Sequence, residues 1–554
     1  MKIELPEELR TFAYRELTVV EPNDTDVERM LTQIFELAIK QGRTATNVSA
    51  AKLYDEKRAA LAQSGHLAGF NDTRGRAVLD GWLRASVVEM GRAGRARASE
   101  QMQYLRPTTV AVFRAGFPAR SRHRGADMVV YRELLREMAA RLGPSEGSTD
   151  KAAAWIREQF TGAFGPGVTF SDPPKWAPTY DGTTDVDITA LLTLYFVELF
   201  DAKSAAKDRD AEQTARYRSP VPGATRPLGA DVLDYLQAYG ERAPSLVMSQ
   251  HMAAILGLRL FQLPLRIARA TRELIETGQI PHDMVDDDAS NPLEQYVDFT
   301  GSKGSPSDLL ARECVQRDLE ITRQFFRDRL YLLSIRGAPA LKAELADQSL
   351  SPAERVALVA DAKEIPRVVG HLEYLLSRIV DLNEQSDDED ARHFLATMEA
   401  DPRPAADRLA DVLVEALKKR GYENAVKWFW SAGGIKTDIG VLTGALNVRS
   451  SWAYAPSDKL LASLLAVTFA RRGGGAAHAE LTIGEVLKQL EERFGLLVNR
   501  PPCAMATAAN RAAAAENLEA FKYRLQLLGV FEGLSDDLDA QRVRNPLVNL
   551  SENA

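Results

Sequence analysis

The chain has 554 residues, 45% hydrophobic and 26% charged, with a net charge of −8. That length exceeds one ordinary core and suggests about three or four domains. The composition excludes a disordered or fibrous protein, and the acidic balance excludes one that coats nucleic acid nonspecifically.

In chain order, apolar spacing predicts helix from Val27 to about Ala62 and from Arg76 to Gly91, with turns at 64–65 and 69–72 between them. Helix resumes near Met128 to Leu142 and stops at Gly143-Pro144. Pro166, Pro173, Pro174 and Pro178 make 162–182 a loop-rich stretch, the first plausible boundary. Helices follow at about 186–215 and 229–240, on either side of the break Ser219-Pro220-Val221-Pro222-Gly223. Another covers about 245–277, interrupted at Pro264. The stretch 281–307 is acidic, then rich in Gly and Ser, and reads as an exposed connection. Helices return at about 307–336, after a Ser351-Pro352-Ala353-Glu354 capping pattern, and at about 367–383, 387–398 and 405–420. No fixed repeat period is present, and the Trp- and Gly-rich 428–454 takes no secure assignment.

The last hundred residues are the most legible. A first helix starts after Pro456-Ser457, with Leu461, Leu464, Leu465 and Phe469 on one face. A second opens on the capping pair Thr482 and Glu485, buries Ile483, Val486, Leu487, Leu490 and Phe494, and stops at Gly495. A third runs from about Asn510 to Leu528, with Leu518, Phe521, Leu525 and Leu528 inward and Gly529 as its stop. Val530-Phe531, a turn at 535–537 and 538–543 then read as a hairpin. Three helices and a hairpin in this order predict a winged-helix-like module, the third helix standing where a recognition helix would. Its outward face carries Glu516, Glu519, Ala520 and Tyr523, leaving Arg511, Lys522 and Arg524 at its start and flanks to approach phosphate. Residues 458–548 hold eleven basic and eleven acidic side chains, which favours protein docking or structural use over phosphate neutralisation.

No phosphate loop, helix-borne metal pair or nucleophile elbow stands in the sequence, so no cofactor and no metal is expected. Asp185, Asp187, Glu198, Asp201 and Lys203 resemble the carboxylates and lysine of a metal-dependent nuclease. Those belong on adjacent strands, however, and 188–200 reads as one helix. The acidic run at 286–288 reads as a solvated loop. The better candidate for nucleic acid is 74–124, with eleven arginines, no lysine and three acids. Arginine grips phosphate through a planar fork, and Tyr104, Phe113 and Phe117 are interleaved for stacking. Arg114 is a further candidate contact, and the tight set Arg120, Arg122, His123 and Arg124, in a loop after Pro118, are the residues to test first. The competing use is pairing with the protein's own acids. No apolar run reaches the roughly 20 residues of a membrane span, no secretion signal opens the chain, and two cysteines suit a reducing compartment. A cytoplasmic protein is expected.

The strings Tyr454-Ala455-Pro456-Ser457-Asp458-Lys459-Leu460-Leu461, Leu490-Glu491-Glu492-Arg493-Phe494-Gly495-Leu496, Leu525 to Phe531 and Leu534-Ser535-Asp536-Asp537 resemble a known family. It is that of the large accessory proteins of bacterial anti-phage islands, in particular methylation-associated defence systems. The likeness is clearest over about 450–550. It implies a cytoplasmic component working beside a DNA methyltransferase, a target-recognition subunit and effectors during phage infection, and it carries over no catalytic residue. The expectation is a mainly α, multi-lobed protein: helical domains at 1–145 (with the arginine segment), 183–280 and 305–425, and a winged-helix-like module at 455–550. Its expected role is a non-catalytic, nucleic-acid-contacting or scaffolding subunit, with a nuclease and a transcriptional regulator as alternatives.

Overall fold

The computed structural model describes residues 1–547 except 15, 21, 44–52, 93–99, 117–124, 174, 201–218, 241, 288–289 and 533–540, and the backbone alone at Arg92. It is mainly helical, 61% helix against 7% strand, and the strands form short two-stranded pairs. Two long helices, Ser245–Thr277 and Pro306–Arg336, pack along each other as a spine. On one side Pro227–Tyr239 joins them to Ala126–Leu142, which in turn packs on Val27–Ile39 and Ser148–Phe164. On the other side Ala405–Leu417, Tyr422–Ala432 and Ala508–Leu527 lie against Pro306–Arg336. Buried apolar side chains from Ile3 to Leu547 make one cluster, to which all four expected segments contribute. Gly229 sets the closest approach: a Cβ there would stand 2.4 Å from the Glu133 carbonyl oxygen, so the two helices meet backbone to backbone.

Helix ends follow local chemistry. Ser351 and Glu354 exchange both capping-box bonds, and Ser305, Ser457 and Thr507 each accept an N–H from the first turn of their helices. Four expectations fail for non-local reasons. Pro264 does not interrupt its helix, which runs unbroken from Ser245 to Thr277. Lacking an N–H, Pro264 frees the Leu260 carbonyl, and the buried Trp428 indole donates to it at 3.0 Å. That helix also has the length and apolarity of a membrane span, but 83% of its apolar window is buried in the protein, as for a core helix. The helix expected to reach Gly91 ends at Trp82, passes a π turn at Leu83–Val87, and gives way to a strand, Val88–Arg92, paired antiparallel with Glu100–Leu105. This pairing buries Val88, Met102 and Tyr104 together. In the proline-rich 162–182, Val168–Phe170 pairs with Pro178–Tyr180.

The fourth correction shapes the molecule most. The expected exposed connection 281–307 is deeply buried over Asn291–Phe299 at most positions. Gln295–Tyr296 pairs parallel with Leu496–Leu497, and Asp298 N–H reaches the Tyr454 carbonyl at 2.8 Å. Around this strand Gln262, Gln295, Asp318 and Tyr454 form a hydrogen-bonded set: Gln295 Nε2 donates to Asp318 at 2.9 Å and Tyr454 Oη to the same carboxylate at 2.7 Å. A buried network of this kind is favourable because its members satisfy one another. The unassigned 425–455 is also packed: Trp428, Trp452 and Tyr454 are fully buried, and Leu442–Thr443 pairs with Ala453–Tyr454.

Candidate functional site

The three C-terminal helices are Asp458–Phe469, Ile483–Phe494 and Ala508–Leu527. Thr482 and Glu485 make both capping-box bonds, and Gly495 closes the second helix at φ 65°. Glu480–Thr482, between the first two helices, pairs antiparallel with Arg542–Arg544, and Phe531 bridges Val543. The turn expected to tip the wing, 535–537, lies outside the described residues.

The third helix is rotated slightly from its expected setting. Its buried stripe is Ala513, Ala514, Asn517, Phe521 and Leu525, with Leu518 only half-buried. Asn517 is the residue that sequence reasoning missed. Its amide donates to the Val297 and Val498 carbonyls at 2.9 and 3.0 Å and its oxygen accepts from Phe299 N–H at 2.7 Å, so it ties the helix to the buried strand. The outward face carries Glu516, Glu519, Tyr523 at 60% exposure and Leu527 at 61%. Lys522 pairs with Glu519 at 2.8 Å and Arg524 with Asp458 at 3.2 Å. Arg511 is exposed. Asn510 turns back to the Met505 carbonyl.

The inner side of the module is held by charge. Arg493 reaches both Asp231 and Asp234 at 2.8 Å, and Arg259 reaches Asp231 at 2.6 Å. Arg141 continues the ladder to Asp234 and Glu137, and Arg226 joins Glu137 to Asp287. These groups line a cleft of about 270 Å³. Burial pushes the Asp231 carboxyl up, but the Arg259 and Arg493 guanidiniums outweigh it and hold it below its ordinary range. At Asp234 burial prevails and the carboxyl is raised. One signal for this site was legible: Arg493 sits beside Phe494 and one turn from Leu490, among residues destined for the core.

In the arginine segment, Arg84 pairs with Asp80 and Glu100, and Arg106 with Glu89. Arg114 donates to the carbonyls of Phe200, Pro178 and Glu198 at 2.5, 3.2 and 3.4 Å, which fixes the turn after Glu198 against its own element. Arg120, Arg122, His123 and Arg124 lie outside the described residues, as does Lys203. Asp187 caps the helix Ile188–Glu198, accepting from Thr189 N–H at 2.8 Å, and Glu198 faces His66 at 3.6 Å. Asp187 and Glu198 therefore stand at opposite ends of a helix and not on adjacent strands. Among the described residues no three His, Cys, Asp or Glu side chains gather as a metal set. Asp287 of the acidic run pairs with Arg226, and Gly434 lies in a turn at φ 79°.

No curated protein matches the chain. The family described as methylation-associated defense system protein MAD7 matches residues 7–547, so the likeness seen over 450–550 extends through nearly all of the helical body as well. Over residues 7–547 the chain belongs to the MAD7 family of methylation-associated defense system proteins.

Proposed function

We propose that this chain is a non-catalytic assembly subunit of an anti-phage defence complex, whose terminal helix docks another protein of the system and whose arginine segment touches nucleic acid. The family carries the defence role and other defence proteins as partners. The finer reading rests on the outward face of Ala508–Leu527. Its centre is carboxylate, Tyr523 and Leu527, and the two cations on its flanks, Lys522 and Arg524, are already bound to carboxylates. A phosphate-gripping face needs free cations; an exposed aromatic and leucine one turn apart suit a protein partner. The DNA methyltransferase and target-recognition subunit are the partners to try. Two free cysteines, one of them buried, suit the cytoplasm.

Co-purification with the other proteins of its defence system tests the docking. Tyr523→Glu with Leu527→Glu should abolish capture of one partner while the melting midpoint stays put; undiminished capture removes the proposal. For the nucleic-acid contact, duplex-DNA affinity is measured against salt. Replacing Arg120, Arg122 and Arg124 by Ala should flatten the slope by about one contact per arginine, and an unchanged slope ends that part. A nuclease would lose metal-stimulated cleavage in Asp187→Ala, but the capping role of Asp187 favours a loss of helix stability instead. A transcriptional regulator would leave a defined footprint through Arg511, Lys522 and Arg524.

A further inference from the structure

Arg329, on the spine helix Pro306–Arg336, is buried to 2% exposure. The comparably buried Arg259, Arg266 and Arg493 each have a carboxylate within 2.8 Å. Among the described residues Arg329 has none. Its Nη1 donates to the Thr18 hydroxyl at 3.2 Å, its plane lies over Phe325 at 4.9 Å, and its Nε has no hydrogen-bond partner. Burial pulls the guanidinium down to about 10, which leaves it charged at neutral pH. A buried charge without a counter-charge is costly, and native interiors pair it.

The space beside it supplies the means. Arg329 lines a cavity of about 30 Å³ whose walls are apolar, among them Val20, Pro264, Phe325 and Trp428. Among the described residues only two other polar side chains face it. Thr322 already donates its hydroxyl to the Asp318 carbonyl, whereas Thr18, having accepted from Arg329, keeps its own proton to give. A volume of this size holds roughly two waters or one small anion. Water would satisfy the hydrogen bonds and leave the charge; a monovalent anion answers both.

We propose that the Arg329 cavity binds a single chloride-sized monovalent anion, held by the guanidinium and the Thr18 hydroxyl inside an apolar shell. Larger anions are excluded by volume.

Full-length protein is exchanged into sodium gluconate, whose anion is too large to enter, and titrated with chloride at constant ionic strength. The chloride NMR linewidth should show a saturable excess over that of the buffer alone. Thr18→Val, which keeps the charge, should weaken chloride by about tenfold, the loss of one charge-assisted hydrogen bond. Arg329→Met, similar in length and uncharged, should abolish the excess. If that variant does not fold, Thr18→Val decides alone. Absence of the saturable excess in the unaltered protein, or its persistence at full affinity in Thr18→Val, overturns the proposal.

Discussion

Arg493 and Arg524 sit in the same C-terminal module, on opposite sides of it, and they behave as different residues. Arg493 faces inward, bridges Asp231 and Asp234, and also donates to the Val467 carbonyl. Arg524 faces solvent and holds Asp458 across the gap to the first helix of the module. The first joins the module to the body through a buried, doubly paired contact, where both partners lose if one is removed. The second is a surface pair, screened by salt and replaceable by water. An arginine's worth is therefore set by what its removal would leave unpaired.

That difference is sharpest at Arg493→Ala. The change takes one of two guanidiniums from each of two buried carboxylates, leaving Asp231 to Arg259 and Asp234 to Arg141, and should cost on the order of 3 kcal/mol, seen as a lower denaturation midpoint and early proteolysis of the C-terminal module. Loss no greater than for a surface pair would break the comparison. His251 extends it to a buried group beside the same helix pair: it shares a hydrogen bond with Tyr235 Oη at 2.9 Å, and burial lowers it from 6.5 to about 4. A depressed histidine is neutral when folded and takes up its proton on unfolding. Its contribution is therefore full above pH 6.5 and is lost as pH falls toward 4, a swing of about 3 kcal/mol. His251→Gln should flatten the urea stability profile across that window. Asn517→Ala leaves a buried N–H and two carbonyls without their partner and should cost about 1–3 kcal/mol, measured by urea unfolding. The smallest effect belongs to Arg524→Ala, within about 0.5 kcal/mol and smaller still at high salt.

Legibility in the sequence divides along the same line. Ser457, Ser351 with Glu354, and Thr482 with Glu485 were readable because a cap is closed within one helical turn. The segment around Gln295 was not, since its burial comes from Leu496–Leu497 and Asn517. Its acidic and Gly-rich flanks have the composition of a loop even though its centre is core. Pro264 misled for a similar reason: the Trp428 indole that replaces the missing helical bond lies 168 positions from the Leu260 carbonyl it reaches. Of the candidate site, the carboxylate-bearing outer face of the third helix was visible from periodicity alone. The register of its inner face was not, because a buried asparagine looks polar until the backbone groups it satisfies are in place. Arg114 was singled out as a nucleic-acid contact, and its carbonyl partners lie beyond any local pattern.

The strand at Gln295–Tyr296 has a consequence for how this chain is made. Synthesis delivers it well before its neighbour on the same sheet, and the clasp from Phe299 to Asn517 spans 218 positions. Until the ribosome has released that far end, a row of unmated amides and carbonyls stands in the nascent product, a template for wrong association. Shortening the gene from its 3′ side should thus yield aggregates and not a smaller working part.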